Sequence, residues 1–66
     1  MDALYENIKK LRQQKKMSQL GLAKEIGYAD HTIIVKIEKG QVDLSFSKIK
    51  QFADVFGVTV SELIGE

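Results

Sequence analysis

The sequence predicts an all-α chain of five short helices, and three observations carry that reading. Apolar residues recur at helical spacing in each segment of the 66 residues. Strand-like alternation persists nowhere; Val58-Thr59-Val60 comes nearest and is too short to pair. The stretches Ser18–Gly27 and Asp30–Gly40 each hold too few apolar residues to stand alone. They must pack on each other, at an angle set by a tight turn, and on a third element.

The first helix is expected from about Asp2 to Gln14, with Leu4, Ile8 and Leu11 on one face. Lys15-Lys16-Met17 connects it onward, with Met17 turned inward. Ser18 is a good N-cap for the second helix, but Gly21 stands where a Glu or Gln would complete a capping box. Leu22, Ala23 and Ile26 face inward, and the small Ala23 lets two backbones approach closely. Gly27-Tyr28-Ala29-Asp30 is the turn, for which Gly27 supplies the backbone freedom. Asp30 or His31 opens the third helix, Ile34 and Ile37 are its inward positions, and Gly40 ends it. The fourth begins near Ser45, carries Ile49, Phe52, Ala53 and Phe56 on one face, and stops at Gly57. A short fifth helix is capped by Thr59, with Glu62 completing a capping box and Leu63 and Ile64 facing inward.

Size leaves room for one domain, residues 1–66. A chain this short buries only about 60% of its unfolded surface, so marginal stability is expected. It holds no cysteine, hence no disulfide or thiolate metal site, which fits a reducing cytoplasm. No apolar run approaches the roughly 20 residues a bilayer span needs, and the amino terminus does not read as a signal peptide. His31 is the only histidine, and one histidine makes no metal site. A nucleophile–histidine–carboxylate set and a glycine-rich phosphate loop are both missing, and so short a chain encloses little pocket. These residues argue against an enzyme, a cofactor or a small-molecule ligand.

Net charge is only +1, but it is unevenly distributed. Residues 1–16 hold Lys9, Lys10, Arg12, Lys15 and Lys16 against Asp2 and Glu6, a net +3. Residues 54–66 hold Asp54, Glu62 and Glu66 with no base, a net −3. Such a layout orients a small protein on a polyanion with its acidic end turned away. Ordinary solvated helix faces would give the same pattern.

The ordered set Ile8, Leu11-Arg12, Ser18-Gln19, Leu22-Ala23, Ile26-Gly27, Ile34, Lys36-Ile37-Glu38, Gly40, Phe52-Ala53, Phe56-Gly57-Val58 and Leu63 resembles a known pattern. It is that of the Cro/CI-type (XRE-like) helix-turn-helix family of phage repressors and bacterial regulators. The stretch Gly27–Gly40 looks most like prophage repressors of Gram-positive bacteria. The resemblance implies a five-helix, lambda-repressor-like domain that binds operator DNA, usually as a dimer on a near-palindrome. Leu20 and Gly21 depart from the family where polar or acidic residues are common. Ile33 and Val35 depart where small polar residues are usual, which points to apolar contact with thymine methyl groups.

By that correspondence and by helical geometry, His31, Thr32, Val35 and Lys36 face base edges. Phosphate contacts are expected from Ser18 and Gln19 at the start of the second helix, and from Lys39. The start of the fourth helix offers a second backbone clamp through Ser45, Phe46, Ser47 and Lys48. A plain structural cap for Ser18 and a solvated side chain for Lys48 are the bland alternatives. In the family, an arginine on the first helix pairs with the glutamate closing the third, so Arg12 and Glu38 are expected as a structural ion pair. Val42, Phe46, Val58, Val60 and Ile64 exceed what so small a core can bury, and are expected at a homodimer interface.

Two functions remain in play. One is a sequence-specific transcriptional regulator, a repressor, either complete at Cro size or the DNA-binding piece of a longer chain. The other is a protein-interaction module such as an antitoxin or adaptor, with Phe46, Leu20 and Val35 as anchors.

Overall fold

The computed structural model describes residues 3–65, and they form five helices with no strand among them. These are α1 (Ala3–Gln14), α2 (Gln19–Ile26), α3 (Thr32–Glu38), α4 (Phe46–Phe56) and α5 (Val60–Ile64). The expected start of α1 at Asp2 lies outside the described residues. No described helix is long and apolar enough to cross a membrane.

Each helix contributes to one core of ten residues: Ile8, Leu22, Ala23, Ile26, Ile34, Ile37, Phe52, Ala53, Phe56 and Leu63. Alone, none of these helices has enough apolar surface to offset its ordering entropy, so their stability is tertiary. α1 packs against α3, α4 and α5, and α2 against α3 and α4. Within α4 the Phe52 and Phe56 rings stack with centroids 6.3 Å apart. Leu4, Leu11, Met17 and Ile49 pack half-buried against this centre. Ile64 is only half-buried and stands outside the core cluster, so Leu63 is the fully buried residue of α5, with Val60 packed half-buried beside the core.

Polar contacts pin the elements at long range. Asn7 Nδ2 donates to the Leu63 carbonyl at 2.9 Å, fastening α5 to α1. The Tyr5 hydroxyl donates to the Val42 carbonyl at 2.8 Å and holds the segment between α3 and α4. The Ser18, Ser45 and Thr59 side chains each accept an amide of the helix they precede. At Thr59 the box closes in both directions, since Glu62 Oε1 accepts the Thr59 amide at 2.8 Å.

The start of α3 differs in detail from the sequence reading. The helix is regular from Thr32, with His31 flanking it in a helical conformation and making no side-chain cap. Asp30 supplies the oxygen instead: its Oδ1 accepts the Thr32 amide at 2.8 Å. That bond holds the Asp30 carboxyl below its ordinary value of 3.8, with the neighbouring His31 adding a smaller pull.

Candidate nucleic-acid interface

The α2–turn–α3 unit fixes one helix by its buried side and leaves its other side open. Ile34 and Ile37 are fully buried, and Ile33 packs half-buried against the core. Ile33 is therefore occupied by packing, although the sequence alone left it on the outer face with Val35. Val35 is half-buried and stands outside the core cluster. His31, Thr32, Lys36 and Lys39 are exposed. The outer side of α3 and its two flanking residues thus offer an imidazole, a hydroxyl and two ammonium groups beside one aliphatic patch. These can donate to acceptors on base edges, accept from amino groups, and touch a methyl group.

The far end of α3 is tied to the start of α2. Glu38 accepts from Arg12 Nε at 2.6 Å and Nη2 at 3.3 Å, and from Gln19 Nε2 at 3.2 Å. Arg12 Nη1 donates to the Met17 carbonyl at 3.0 Å, so one guanidinium joins α1, the connection after it and α3. The Gln19 side chain is therefore not free. One amide hydrogen is engaged by Glu38, which fixes the group and leaves its second hydrogen for another acceptor. Ser18 Oγ accepts the Gly21 amide at 2.8 Å while its own hydroxyl hydrogen remains available. Capping and anion contact are compatible at this serine. The first α2 amides, Gln19 and Leu20, have no intrahelical partner by construction.

The turn leading into α3 is tied to the start of α4. Gly27 takes a left-handed φ of 106°, and its amide and that of Tyr28 close the end of α2 on the Ala23 carbonyl. This directs Tyr28 toward α4, where Lys48 Nζ lies 4.8 Å from the centroid of its ring. Ser45 Oγ accepts the Lys48 amide at 3.3 Å and lies 3.2 Å from Ser47 Oγ. Phe46, first residue of α4, is 68% exposed. Its amide and that of Ser47 are the free donors of this helix start. Sequence reasoning assigned no role to Tyr28. Its contact with Lys48 joins segments 20 positions apart, for which no local pattern is a signal.

Of the five residues expected at a dimer seam, four are half-buried and one is exposed. Val42, Val58 and Val60 pack half-buried against this chain's own core. Ile64 is also half-buried, and among the five only Phe46 is exposed. Leu20, at 43%, is the other large exposed apolar residue among those described.

Comparisons with known proteins agree with this arrangement of helices. No match is found among curated proteins. Among solved structures the chain is similar to a hypothetical transcription factor, NHTF, from Neisseria. The two are 29% identical and superpose with a TM-score of 0.85 over 94% of this chain and 70% of that one. The model of the helix-turn-helix family matches residues 8–63, from the buried Ile8 of α1 to the buried Leu63 of α5. The match spans the whole core as well as the α2–turn–α3 unit, and the chain belongs to the helix-turn-helix family.

Proposed function

We propose that this protein is a transcriptional regulator that binds double-stranded DNA sequence-specifically, with α3 in the major groove. One observation carries the reading: an exposed polar and basic helix face with a capped helix start tied to each of its two ends. Glu38 ties the far end to α2 through Gln19, and the Tyr28–Lys48 contact ties the entry to α4. Phosphate groups on either side of a groove are what such paired donors fit, while the face between them meets base edges. The likeness to a hypothetical transcription factor supports the same function.

In this reading His31, Thr32, Val35 and Lys36 read bases. Ser18, Gln19, Lys39, Ser45, Ser47, Lys48 and the Phe46 amide hold phosphates. The Arg12–Glu38 pair sets α3 on the scaffold. The protein acts as a repressor and binds a near-palindromic operator as a homodimer, with Phe46 and the carboxy-terminal third at the seam. The net −3 carried by residues 54–66 favours turning that part of the seam away from DNA.

Selection of bound fragments from a random duplex pool tests this directly. The expected outcome is one enriched, near-palindromic site whose affinity falls steeply with salt, because bound counterions are released. A pool that shows no enrichment and no salt-dependent binding overturns the reading. The exposed Phe46 and Leu20 would then favour a protein-interaction module, whose apolar contacts respond weakly to salt.

A further inference from the structure

Tyr28 and Lys48 belong to different elements, and the backbone of each is independently pinned. The Tyr28 amide donates to the Ala23 carbonyl at 2.8 Å, and the Lys48 amide donates to Ser45 Oγ at 3.3 Å. Between them the Lys48 ammonium sits 4.8 Å from the ring centroid. Both side chains are half-buried, whereas Lys36 and Lys39 are exposed. Lys48 takes part in neither of the ion pairs found among the described residues, which are Arg12–Glu38 and Lys50–Asp54. Among the described residues its polar head is therefore steered by an aromatic face and by no carboxylate.

That choice of partner has a chemical consequence. A carboxylate would neutralise the ammonium and compete with any other anion. A ring face attracts the cation through its quadrupole, leaves the net charge intact, and covers one side of a group that has three donors. The outward donors remain free. Meanwhile the flexible four-carbon stem is restricted before any ligand arrives, so less freedom is lost on binding.

We propose that Tyr28 is a positioning residue for DNA binding, a role that rests on the DNA-binding reading above: it holds the Lys48 ammonium pre-oriented for a backbone phosphate. Through it the turn and the start of α4 meet DNA as one unit. Tyr28 itself touches no phosphate.

The test uses a 20-base-pair duplex of arbitrary sequence, because phosphate contacts are independent of sequence. Affinity is measured by fluorescence anisotropy across a salt series for the parent, Tyr28→Leu, Tyr28→Phe, Lys48→Gln and the Tyr28→Leu/Lys48→Gln double variant. Freezing one rotamer-rich side chain sets the scale, so Tyr28→Leu should weaken binding roughly three- to tenfold. Tyr28→Phe, which keeps the ring, should bind like the parent. In the Lys48→Gln background Tyr28→Leu should have no further effect, whereas a merely structural tyrosine would cost as much there. Equal losses in both backgrounds, or tighter binding by Tyr28→Leu, overturn the positioning role while duplex binding by the parent stands. A parent that binds no duplex at any salt overturns the DNA reading itself. If Tyr28→Leu does not fold, the parent alone still decides. The Lys48 ε-methylene protons should be shifted upfield by the ring and stay so when duplex is added. Loss of that shift on binding overturns the role.

Discussion

Glu38 ends α3 with both carboxylate oxygens engaged by Arg12, Nε at 2.6 Å and Nη2 at 3.3 Å. The side chains are only 12% and 5% exposed, so this pair is largely withdrawn from water. Arg12→Ala leaves the Glu38 charge with only the Gln19 amide and should destabilise the fold by roughly 3–5 kcal/mol. Domains of this size have about 3–10 kcal/mol in total, so the variant should sit near its unfolding midpoint at room temperature. Urea titration followed by circular dichroism reads the loss. Replacing both partners with leucine should recover most of it, because no unpaired charge then remains. A fully stable Arg12→Ala would show that water reaches the pair freely.

Base reading and phosphate holding should separate between Lys36 of α3 and Lys39 just after it. Lys36→Ala should lose roughly 1–3 kcal/mol on the selected site and relax preference at one base position. Lys39→Ala should weaken all duplexes about equally and reduce the salt slope by about one unit. Binding of a panel of single-base site variants checks both. An unchanged ranking of sites by Lys36→Ala removes that side chain from the bases.

Self-association should be weak in solution and strengthen on DNA. Three of the five candidate seam residues are partly spent on this chain's own core, so only a small apolar area around Phe46 is left to pair. Sedimentation equilibrium should give a monomer–dimer equilibrium shifted toward dimer by a palindromic duplex with half-site centres ~34 Å apart. A protein that stays monomeric at high concentration and fills single half-sites without cooperativity has no such seam.

Acid should loosen the starts of α3 and α5. The Thr32 amide lowers the Asp30 carboxyl from its ordinary 3.8, and the Thr59 amide lowers that of Glu62 from 4.5. A carboxyl depressed by folding stabilises fully above its unfolded value and stops doing so as pH falls through its folded value. The contribution of these two caps should therefore be complete above about pH 5 and fall away below about pH 4. Asp30→Asn keeps a capping oxygen without the titration. Its melting temperature should respond less steeply to acid than the parent's, and identical profiles would exclude Asp30 from the linkage.

Helix number, order and caps were legible in the chain because they are local. The spacing of Ile49, Phe52, Ala53 and Phe56, the serine and threonine caps, and the glycines after α2 and α4 act within a few residues of one another. The inward faces, Ile64 excepted, followed for the same reason, since 3.6-residue periodicity tells which side chains share a side. Only the tertiary structure decided what those faces meet. Ile33 and Val35 are neighbours of the same chemical type, yet one packs on the core cluster and the other does not. Gln19 and Glu38, or Tyr28 and Lys48, are ordinary surface residues in one dimension. They become partners only once α2, α3 and α4 have packed. Local pattern reports a residue's own helix, whereas long-range contacts depend on the shape left when several helices exclude water together, and no single segment contains that information.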